Sequence, residues 1–432
     1  MFITLLISFI VIAVFIASIL FLPSVVIRKH SIKVYSLIPI IGAIALIMSE
    51  RVDFHYVVRA FSENTSVNPL KILVLFLSMT TFSLILEQTG FFAYISTKVL
   101  ERAGHNQFVV FIALYAVISV LTVFTSNDII ILTFTPFICH FCRSAKIRTM
   151  PYLIMEFVAA NTWSLLLIIG NPTNIYICGA FGVDFIEYLK MMVLPTVAAG
   201  LMSLGIMLLI FSKTLKRKMG NCEEHGEITD KPVMIISLSH LLVCVLTLAV
   251  SQYIGVEMWL ISLGIAISNI VCVLISLLVR RKKLEPLSHG LSGMPFEIIP
   301  FILGMFIIVL SLETSGITVA IQRALSGLPS VFTYGYLSFL SANVVNNIPM
   351  SVLFSKILSS GAMCEIQAVY ATVIGSNIGA FLTPVGALAG IMWSNLLRKN
   401  KVRLSFTSFI KYGVMIGIPT ISAALLVFYL LV

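Results

Sequence analysis

The sequence predicts an all-α polytopic membrane protein of two inverted-topology repeats, each with a re-entrant hairpin and a broken transmembrane helix. The first observation is composition: 59% of the 432 residues are hydrophobic, 11% are charged and the mean hydropathy is +1.07. Such values exclude an ordinary soluble domain. The second is that several apolar runs approach or exceed the roughly 20 residues that cross a bilayer. The third is that polar interruptions recur in the same order in both halves.

The apolar runs are the first elements to place. The plain spans are expected at 2–27, 32–49, 72–86, 232–250, 257–279 and 407–432, with another closing span at about 191–212. No basic region precedes the run 2–27, so we expect a retained span rather than a cleaved signal peptide.

The net charge of +10 indicates topology rather than a nucleic-acid partner. Most Lys and Arg residues cluster in short loops between apolar runs, for example Arg28, Lys29 and Lys33, or Arg280 to Lys283. With each hairpin returning to the side it entered, these clusters all lie on one face. The Lys/Arg bias makes that face cytoplasmic. We therefore expect an integral protein of the plasma (cell inner) membrane with both termini external.

The polar interruptions define the expected repeats. Residues 1–212 form the first repeat, with a hairpin near 108–142 and a broken helix near 150–181. Residues 213–231 form a cytoplasmic linker. Residues 232–432 form the second repeat, with a hairpin near 331–359 and a broken helix near 364–397. Each half then crosses the membrane five times, and since five is odd the second half must be inverted relative to the first.

Four motifs mark the interruptions: FTSNDIIILTFTPF at 124–137, IGNPTNIYICG at 169–179, ANVVNNIPMSVLF at 342–354 and IGSNIGAFLTPVG at 374–386. Backbone that breaks inside a membrane persists only where protein or a water-filled cavity satisfies it. Paired breaks at matching places in two halves are typical of a transporter's binding site. The candidate substrate-binding residues are Ser126, Asn127, Asn171, Thr173, Asn174, Asn346, Asn347, Ser376, Asn377 and Thr383. The residues expected to set the geometry of the breaks are Gly170, Pro172, Pro349, Gly375, Gly379, Pro384 and Gly386. Small and amide residues also join helices at close contacts, which is the structural alternative.

Asp128 is the most informative single residue. A carboxylate near the bilayer centre costs about 2.5–3.5 kcal/mol on insertion scales, so it usually marks an ion or proton path. The matching place in the second half holds the neutral Asn347. We therefore assign Asp128 to coupling, with H⁺ as the expected ion and Na⁺ as the alternative. It also fits as a cap for the half-helix that begins at Ile129.

The remaining polar residues carry weaker signals. Glu156 lies in the helix leading to Asn171 and is a candidate for coupling or packing. Cys139 and Cys142 have CxxC spacing without a second ligand pair, so we interpret them as helix-packing residues rather than a metal site. No nucleophile–base pair or phosphate loop is visible. We expect no catalytic residues, no metal site and no cofactor, and hence no enzyme.

Together the segments SNDIIILTFTP, IGNPTNIYI, VNNIPMSVLF and GSNIGAFLTPVGALAGIMW resemble the ion transporter superfamily. The resemblance is closest to its arsenite/antimonite efflux pump branch and the related anion permeases. It implies inverted repeats and a site between hairpin tips and helix breaks, with Asn127 and Asp128 at the first tip and Asn346 and Asn347 at the second. Arsenite pumps tend to carry an acidic residue where Asn377 stands and a basic one near Phe381, and both are absent here.

The predicted function is secondary active transport, as proton-coupled export of arsenite, antimonite or a similar small inorganic solute. The alternative within transport is a cation-coupled dicarboxylate or inorganic anion permease. The alternative of another class is a gated anion channel. The expected partners are the lipid bilayer and the solute, and a homodimer and a cytoplasmic ATPase subunit are kept as hypotheses.

Overall fold

The computed structural model describes residues 1–22, 24–27, 30–65, 68–220, 226–361 and 365–432. Arg28 and Lys29 of the first basic cluster, positions 221–225 of the linker and position 364 of the second broken helix lie outside this part. Most described residues are helical.

The described residues of the first half contain ten helices: α1 (Phe2–Phe21), α2 (Val34–Met48), α3 (Phe54–Ser62), α4 (Pro69–Gln88), α5 (Phe91–Ala103), α6 (Gln107–Phe124), α7 (Asn127–Ser144), α8 (Thr149–Trp163), α9 (Pro172–Ala180) and α10 (Phe185–Leu215). A 3₁₀ turn, Ile168–Gly170, lies between α8 and α9.

The second half repeats this order with one short additional helix, α12. Its helices are α11 (Lys231–Ala249), α12 (Ser251–Ile254), α13 (Met258–Val279), α14 (Glu285–Ser292), α15 (Ile298–Thr314), α16 (Ile317–Leu325), α17 (Ser330–Val345), α18 (Asn347–Ser359), α19 (Ile366–Gly379), α20 (Leu388–Lys399) and α21 (Phe406–Leu431). Thus α6 and α7 correspond to α17 and α18, and α8 and α9 to α19 and α20.

The first span is shorter than predicted. Helix α1 ends at Phe21, and strands β1 (Ser24–Ile27) and β2 (His30–Lys33) pair antiparallel before α2 begins. The sequence explains the difference, because Pro23 disfavours helix at the residue before it and Val25, Val26 and Ile27 are β-branched.

Seven helices in the described ranges are long and apolar enough to cross a membrane alone: α1, α4, α6, α10, α11, α13 and α21. An eighth crossing is available if α15 and α16, bent by 73°, form one span. Helix α8 has 15 residues and α19 has 14. At 1.5 Å per residue these helices reach only about 22 Å, so each needs α9 or α20 to complete a crossing. The inversion of one repeat relative to the other stays a prediction.

Two matching turns follow α4 and α15. Gly90 has φ of 76° and Gly316 has φ of 74°, and each is followed at once by a new helix. This left-handed conformation is readily adopted only by glycine. The matching sequences LEQTG and LETSG therefore end their helices in the same way.

The two halves pack against each other throughout. Helix α10 lies against α21, α2 against α15, and α9 against both α18 and α19. One hydrophobic cluster runs through both halves. The helix breaks of the two halves are consequently buried within a shared core.

Candidate functional site

The two helix breaks meet through their side-chain amides. Asn171 precedes α9 and caps it by accepting a hydrogen bond from the Thr173 N–H. Its Nδ2 donates to Oδ1 of Asn377 at 2.9 Å, and Asn377 Nδ2 donates to Oδ1 of Asn174 at 2.6 Å. All three asparagines are at most 1% exposed. A residue of the second half is thus hydrogen-bonded to both asparagines of the first break.

A hydrogen-bonded path continues from this cluster to the tip of the first hairpin. Ser164 Oγ contacts both Asn377 Oδ1, at 3.0 Å, and the Asn161 carbonyl oxygen, at 2.9 Å. Asn127, at the tip, donates from Nδ2 to Oδ1 of Asn161 at 3.0 Å. The path from Asn127 to Asn377 contains only buried groups.

The second hairpin tip is attached to the second break. Asn346 Nδ2 donates to the Val385 carbonyl oxygen, and the Asn347 N–H donates to the Gly386 carbonyl oxygen, both at 2.9 Å. Asn343 Oδ1 accepts from both the N–H and the Oγ1 of Thr383, at 2.8 Å each. Asn346 adopts φ of 74° and ψ of 151°, a conformation that is normally restricted to glycine. The hydrogen bonds of the Asn346 side chain and of the Asn347 N–H hold the backbone in this conformation.

Three polar side-chain atoms among these groups are buried without a hydrogen-bond partner in the described part of the chain. They are Asn347 Oδ1 at the second tip, Ser376 Oγ beside Asn377, and Thr162 Oγ1 beside Asn161. Buried polar atoms are nearly always hydrogen-bonded in proteins. The hydrogen-bonding capacity of these three atoms is therefore unused within the described residues.

The predicted break residues differ in what they do. A Cβ on Gly375 would overlap Ser338 Oγ and the Gly335 carbonyl oxygen of α17, and one on Gly386 would lie 2.6 Å from Asn343 Oδ1. Gly170 and Gly379 also face backbone carbonyl groups closely. Pro172 is the first residue of α9, and Pro384 lies between α19 and α20. Pro349 is in the first turn of α18, where proline needs no helical hydrogen bond, and not at a break.

Asp128 is in the first turn of α7, next to the tip, and is 5% exposed. Ser126 rather than Asp128 caps this helix, accepting from the Ile129 N–H at 3.5 Å. Among the described residues, the Asp128 carboxylate makes no hydrogen bond or ion pair. It is a buried acid without a cationic partner.

Glu156 is a second buried carboxyl group, fully enclosed between α7, α8 and α20. Its Oε1 accepts from Thr135 Oγ1 at 2.8 Å. Its Oε2 and the indole N–H of Trp393 are both buried without a hydrogen-bond partner in the described structure. The ring of Trp393 packs against Phe157, the residue that follows Glu156 in α8, with ring centroids 5.0 Å apart. Glu156 therefore lies where the first hairpin, the first broken helix and the second broken helix come together.

Sequence reasoning missed three residues of this site: Asn161, Ser164 and Asn343. Asn161 and Ser164 follow Glu156 in EFVAANTWS, and Asn343 lies inside a motif whose later asparagines drew attention instead. A signal was present, since uncharged polar residues in an apolar helix ending at a break are unusual. No hydrogen bond joins the two hairpin tips within the described ranges. No cluster of His, Cys, Asp or Glu suited to a metal occurs in that part either.

The chain is similar to known membrane transporters in both sequence and structure. Residues 1–369 match a family model described as a citrate transporter. The chain is 26% identical over 368 residues to the arsenical pump membrane protein of Escherichia coli strain K12, covering 81% of this chain and 84% of that protein. It is 22% identical over 374 residues to a putative arsenical pump membrane protein of Bacillus subtilis, covering 79% of this chain and 83% of the relative.

Two solved structures share the fold. The YdaH transporter of Alcanivorax borkumensis aligns with a TM-score of 0.59 at 13% identity, covering 99% of this chain and 97% of that one. The Neisseria gonorrhoeae protein MtrF aligns with a TM-score of 0.53 at 14% identity, covering 98% and 94%. The matches extend over nearly the whole chain, so the likeness concerns the complete arrangement of helices.

Proposed function

The chain belongs to the citrate transporter family, a family of membrane transporters and not of enzymes, and we propose that it is a secondary active transporter that exports arsenite or antimonite in exchange for protons. The observation that carries this proposal is the buried amide cluster of Asn171, Asn174 and Asn377, which joins the two helix breaks. The names of the relatives in Escherichia coli and Bacillus subtilis support the choice of solute.

The chemistry of the cluster suits a small solute with several hydroxyl groups. Arsenite near neutral pH is an uncharged trihydroxide that donates and accepts hydrogen bonds but needs no cation. Amide groups and hydroxyls supply both donors and acceptors. The unpartnered Ser376 Oγ, Thr162 Oγ1 and Asn347 Oδ1 add capacity for binding. On this proposal the solute replaces some of the amide–amide bonds that now close the site.

Coupling is assigned to Asp128. An unpaired buried carboxylate is costly, and taking up a proton or binding a cation removes that cost. Asp128 lies next to Asn127, which begins the hydrogen-bonded path to Asn377. Protonation of Asp128 would thereby alter the stability of the first tip and, through Asn161 and Ser164, the packing of the breaks. Na⁺ at the same carboxylate is the alternative coupling ion.

The second candidate is a cation-coupled permease for dicarboxylates or inorganic anions. The name of the family model favours it, and so do the first turns of α7 and α18, because helix N-termini attract anions without a cationic side chain. A gated anion channel remains the alternative of another class. It would need a continuous polar path, whereas the described cluster is closed by its own hydrogen bonds.

The deciding experiment is solute flux into liposomes that contain the purified full-length protein. Arsenite, antimonite, citrate, succinate, phosphate and sulfate are compared under imposed H⁺ or Na⁺ gradients. We expect concentrative arsenite movement that depends on the H⁺ gradient. Movement of carboxylates alone, driven by either ion, would replace the proposal with the permease. Flux far above about 10³ molecules per second per protein would indicate a channel, because typical turnover numbers end near that value.

Assignments of location and partners accompany the proposal. The protein is a polytopic integral membrane protein, and we place it in the plasma membrane with both termini external, following the Lys/Arg bias. A homodimer and a cytoplasmic ATPase subunit are the partners to be tested, by crosslinking and by co-purification.

A further inference from the structure

A single amide holds the second helix break in shape. Asn343 of α17 donates from Nδ2 to the carbonyl oxygens of Phe339, at 2.8 Å, and Gly379, at 2.9 Å. Its Oδ1 accepts from the N–H and from the Oγ1 of Thr383, at 2.8 Å each. The amide thus uses two donors and two acceptor positions, which is its full capacity. Gly379 is the last residue of α19 and Thr383 lies within the break, so Asn343 fastens both to the second hairpin.

The partners of Asn343 fix the direction in which its amide points. The carbonyl oxygens of Phe339 and Gly379 only accept hydrogen bonds, so the NH₂ group must face them. The backbone N–H of Thr383 only donates, so the amide oxygen must face Thr383. An amide oxygen cannot donate, and the hydroxyl of Thr383 must therefore give its proton to Asn343.

The Thr383 hydroxyl is left with acceptor capacity alone. A hydroxyl has one proton and two lone pairs, and this proton is committed to Asn343. At the second tip, Asn347 Oδ1 is a further acceptor, buried without a partner among the described residues. This tip is bonded to the same break, because the Asn347 N–H donates to the Gly386 carbonyl oxygen at 2.9 Å. The unused oxygens of Thr383 and Asn347 therefore accept hydrogen bonds and do not donate them.

The first break has the same arrangement within its own sequence. Asn174 donates from Nδ2 to the carbonyl oxygens of Ser164, at 2.9 Å, and Leu167, at 3.3 Å. Its Oδ1 accepts from Thr173 Oγ1 at 3.4 Å and from Asn377 Nδ2 at 2.6 Å. Each break thus has one amide that binds two backbone carbonyl groups and takes the proton of a threonine hydroxyl. Two different local sequences reach the same hydroxyl orientation, which favours a shared role over chance packing.

We propose that Asn343 is a positioning residue for specificity: it orients the Thr383 hydroxyl so that the second break selects solutes that donate hydrogen bonds. This inference deepens the proposed function and rests on it in taking the helix breaks as the transport site. An uncharged trihydroxide such as arsenite has three protons to donate to these oxygens. Sulfate and succinate, when fully ionised, have none, and their charge meets the partial negative charge of the lone pairs. Asn343 acts through Thr383, because its own hydrogen-bonding positions are occupied.

Ligand-induced stabilisation tests this specificity without requiring transport. The unfolding midpoint of the purified full-length protein is measured with arsenite, boric acid, sulfate or succinate, since a ligand that binds the folded state raises the midpoint. Boric acid is a second uncharged trihydroxide. We expect the two trihydroxides to stabilise the wild type and the two dianions to have little effect. The proposal is wrong if the dianions stabilise as well as the trihydroxides do, or if neither trihydroxide stabilises.

Variants separate positioning from a merely structural role. Asn343→Leu leaves the Thr383 hydroxyl free to donate, so affinity for arsenite relative to sulfate should fall about two- to tenfold, the range of one hydrogen bond. Thr383→Ser keeps the hydroxyl and should keep the wild-type ratio. In Thr383→Val, which has no hydroxyl, adding Asn343→Leu should not change the ratio further. Asn395→Leu is the matched control, because Asn395 is half-buried in α20 and makes no hydrogen bond within the described ranges.

A purely structural role of Asn343 predicts a different result. Asn343→Leu would then lower the unfolding midpoint without ligand and leave the ratio of arsenite to sulfate affinity unchanged, which would overturn the proposal. If Asn343→Leu does not fold, Thr383→Val and Thr383→Ser are compared, and equal arsenite affinity in the two would contradict it. Arsenite flux into liposomes by the wild type reports separately on the proposed function. If flux is absent while the affinity ratio shifts as expected, the transport assignment fails and the role of Asn343 stands.

Discussion

Asn171 and Asn377 are hydrogen-bonded at 2.9 Å although 206 residues of sequence separate them. One residue ends the break of the first half and the other lies in the last turn of the helix before the break of the second half. Both side chains are buried, so the hydrogen bond between them takes the place of hydrogen bonds to water. The polar centre of the molecule is therefore assembled only when both halves are packed together.

Replacing Asn377 should disable the centre. Asn377→Ala removes the acceptor of Asn171 and Ser164 and the donor to Asn174, and each buried polar group left without a partner costs about 1–3 kcal/mol. We expect solute flux to be lost and thermal stability to fall. Unfolding in detergent and liposome flux measure both effects. Asn395→Ala is the control, since Asn395 is half-buried in α20 and makes no hydrogen bond within the described ranges. Equal flux in both variants would contradict a role for the cluster.

Neutralising Asp128 should separate transport from its driving ion. Asp128→Asn keeps the shape of the side chain but does not take up a proton, so the solute should still exchange between the two sides while accumulation against a gradient disappears. Counterflow and gradient-driven uptake are measured on the same vesicles. Asp53→Asn is the matched control, because Asp53 caps α3, far along the chain from the helix breaks, and asparagine caps equally well. Undiminished accumulation by Asp128→Asn would remove Asp128 from the coupling mechanism.

Glu156 should behave differently from Asp128. Glu156→Gln keeps an oxygen to accept from Thr135, so we expect near-normal stability and coupled flux. Glu156→Leu leaves the Thr135 hydroxyl without its acceptor and should cost about 1–3 kcal/mol, with lower flux. Thermal unfolding and uptake of the two variants are compared. A Gln variant that folds normally yet no longer accumulates solute would make Glu156 a second coupling residue instead of a packing residue.

The close contact of α17 and α19 depends on Gly375. Gly375→Ala places a methyl group on Ser338 Oγ and the Gly335 carbonyl oxygen, so the helices must separate, at a cost of about 1–3 kcal/mol. Because Ser376 and Asn377 follow directly, flux should fall together with stability. Gly205→Ala and Gly264→Ala are controls, since a Cβ at either glycine meets nothing within 4 Å. These two should be neutral or slightly stabilising, as alanine is the better helix former. A stable Gly375→Ala would contradict the packing described for this pair.

The sequence predicted where helices stop more successfully than how they connect. Asn, Gly and Pro in apolar surroundings interrupt helices for local reasons, so the tips before Asn127 and Asn347 and the breaks around Asn171 and Pro384 were readable from composition alone. The hydrogen-bond partners of these residues could not be predicted. Asn161 and Ser164 resemble ordinary helix residues in the sequence, and only the fold brings Asn127 and Asn377 beside them. The strand pair at 24–33 was missed because an apolar run of β-branched residues fits either structure. Whether the candidate residues bind solute stays a prediction.

The unusual backbone conformation of Asn346 stores strain energy at the second hairpin tip. Holding an asparagine at φ of 74° and ψ of 151° raises the energy by about 1–3 kcal/mol. Two hydrogen bonds oppose its relaxation: Asn346 Nδ2 donates to the Val385 carbonyl oxygen, and the Asn347 N–H donates to the Gly386 carbonyl oxygen. Moving the second break away from α18 would break both hydrogen bonds, and the backbone of Asn346 would then be free to leave this conformation. The energy stored in the backbone would offset part of the cost of losing those two bonds.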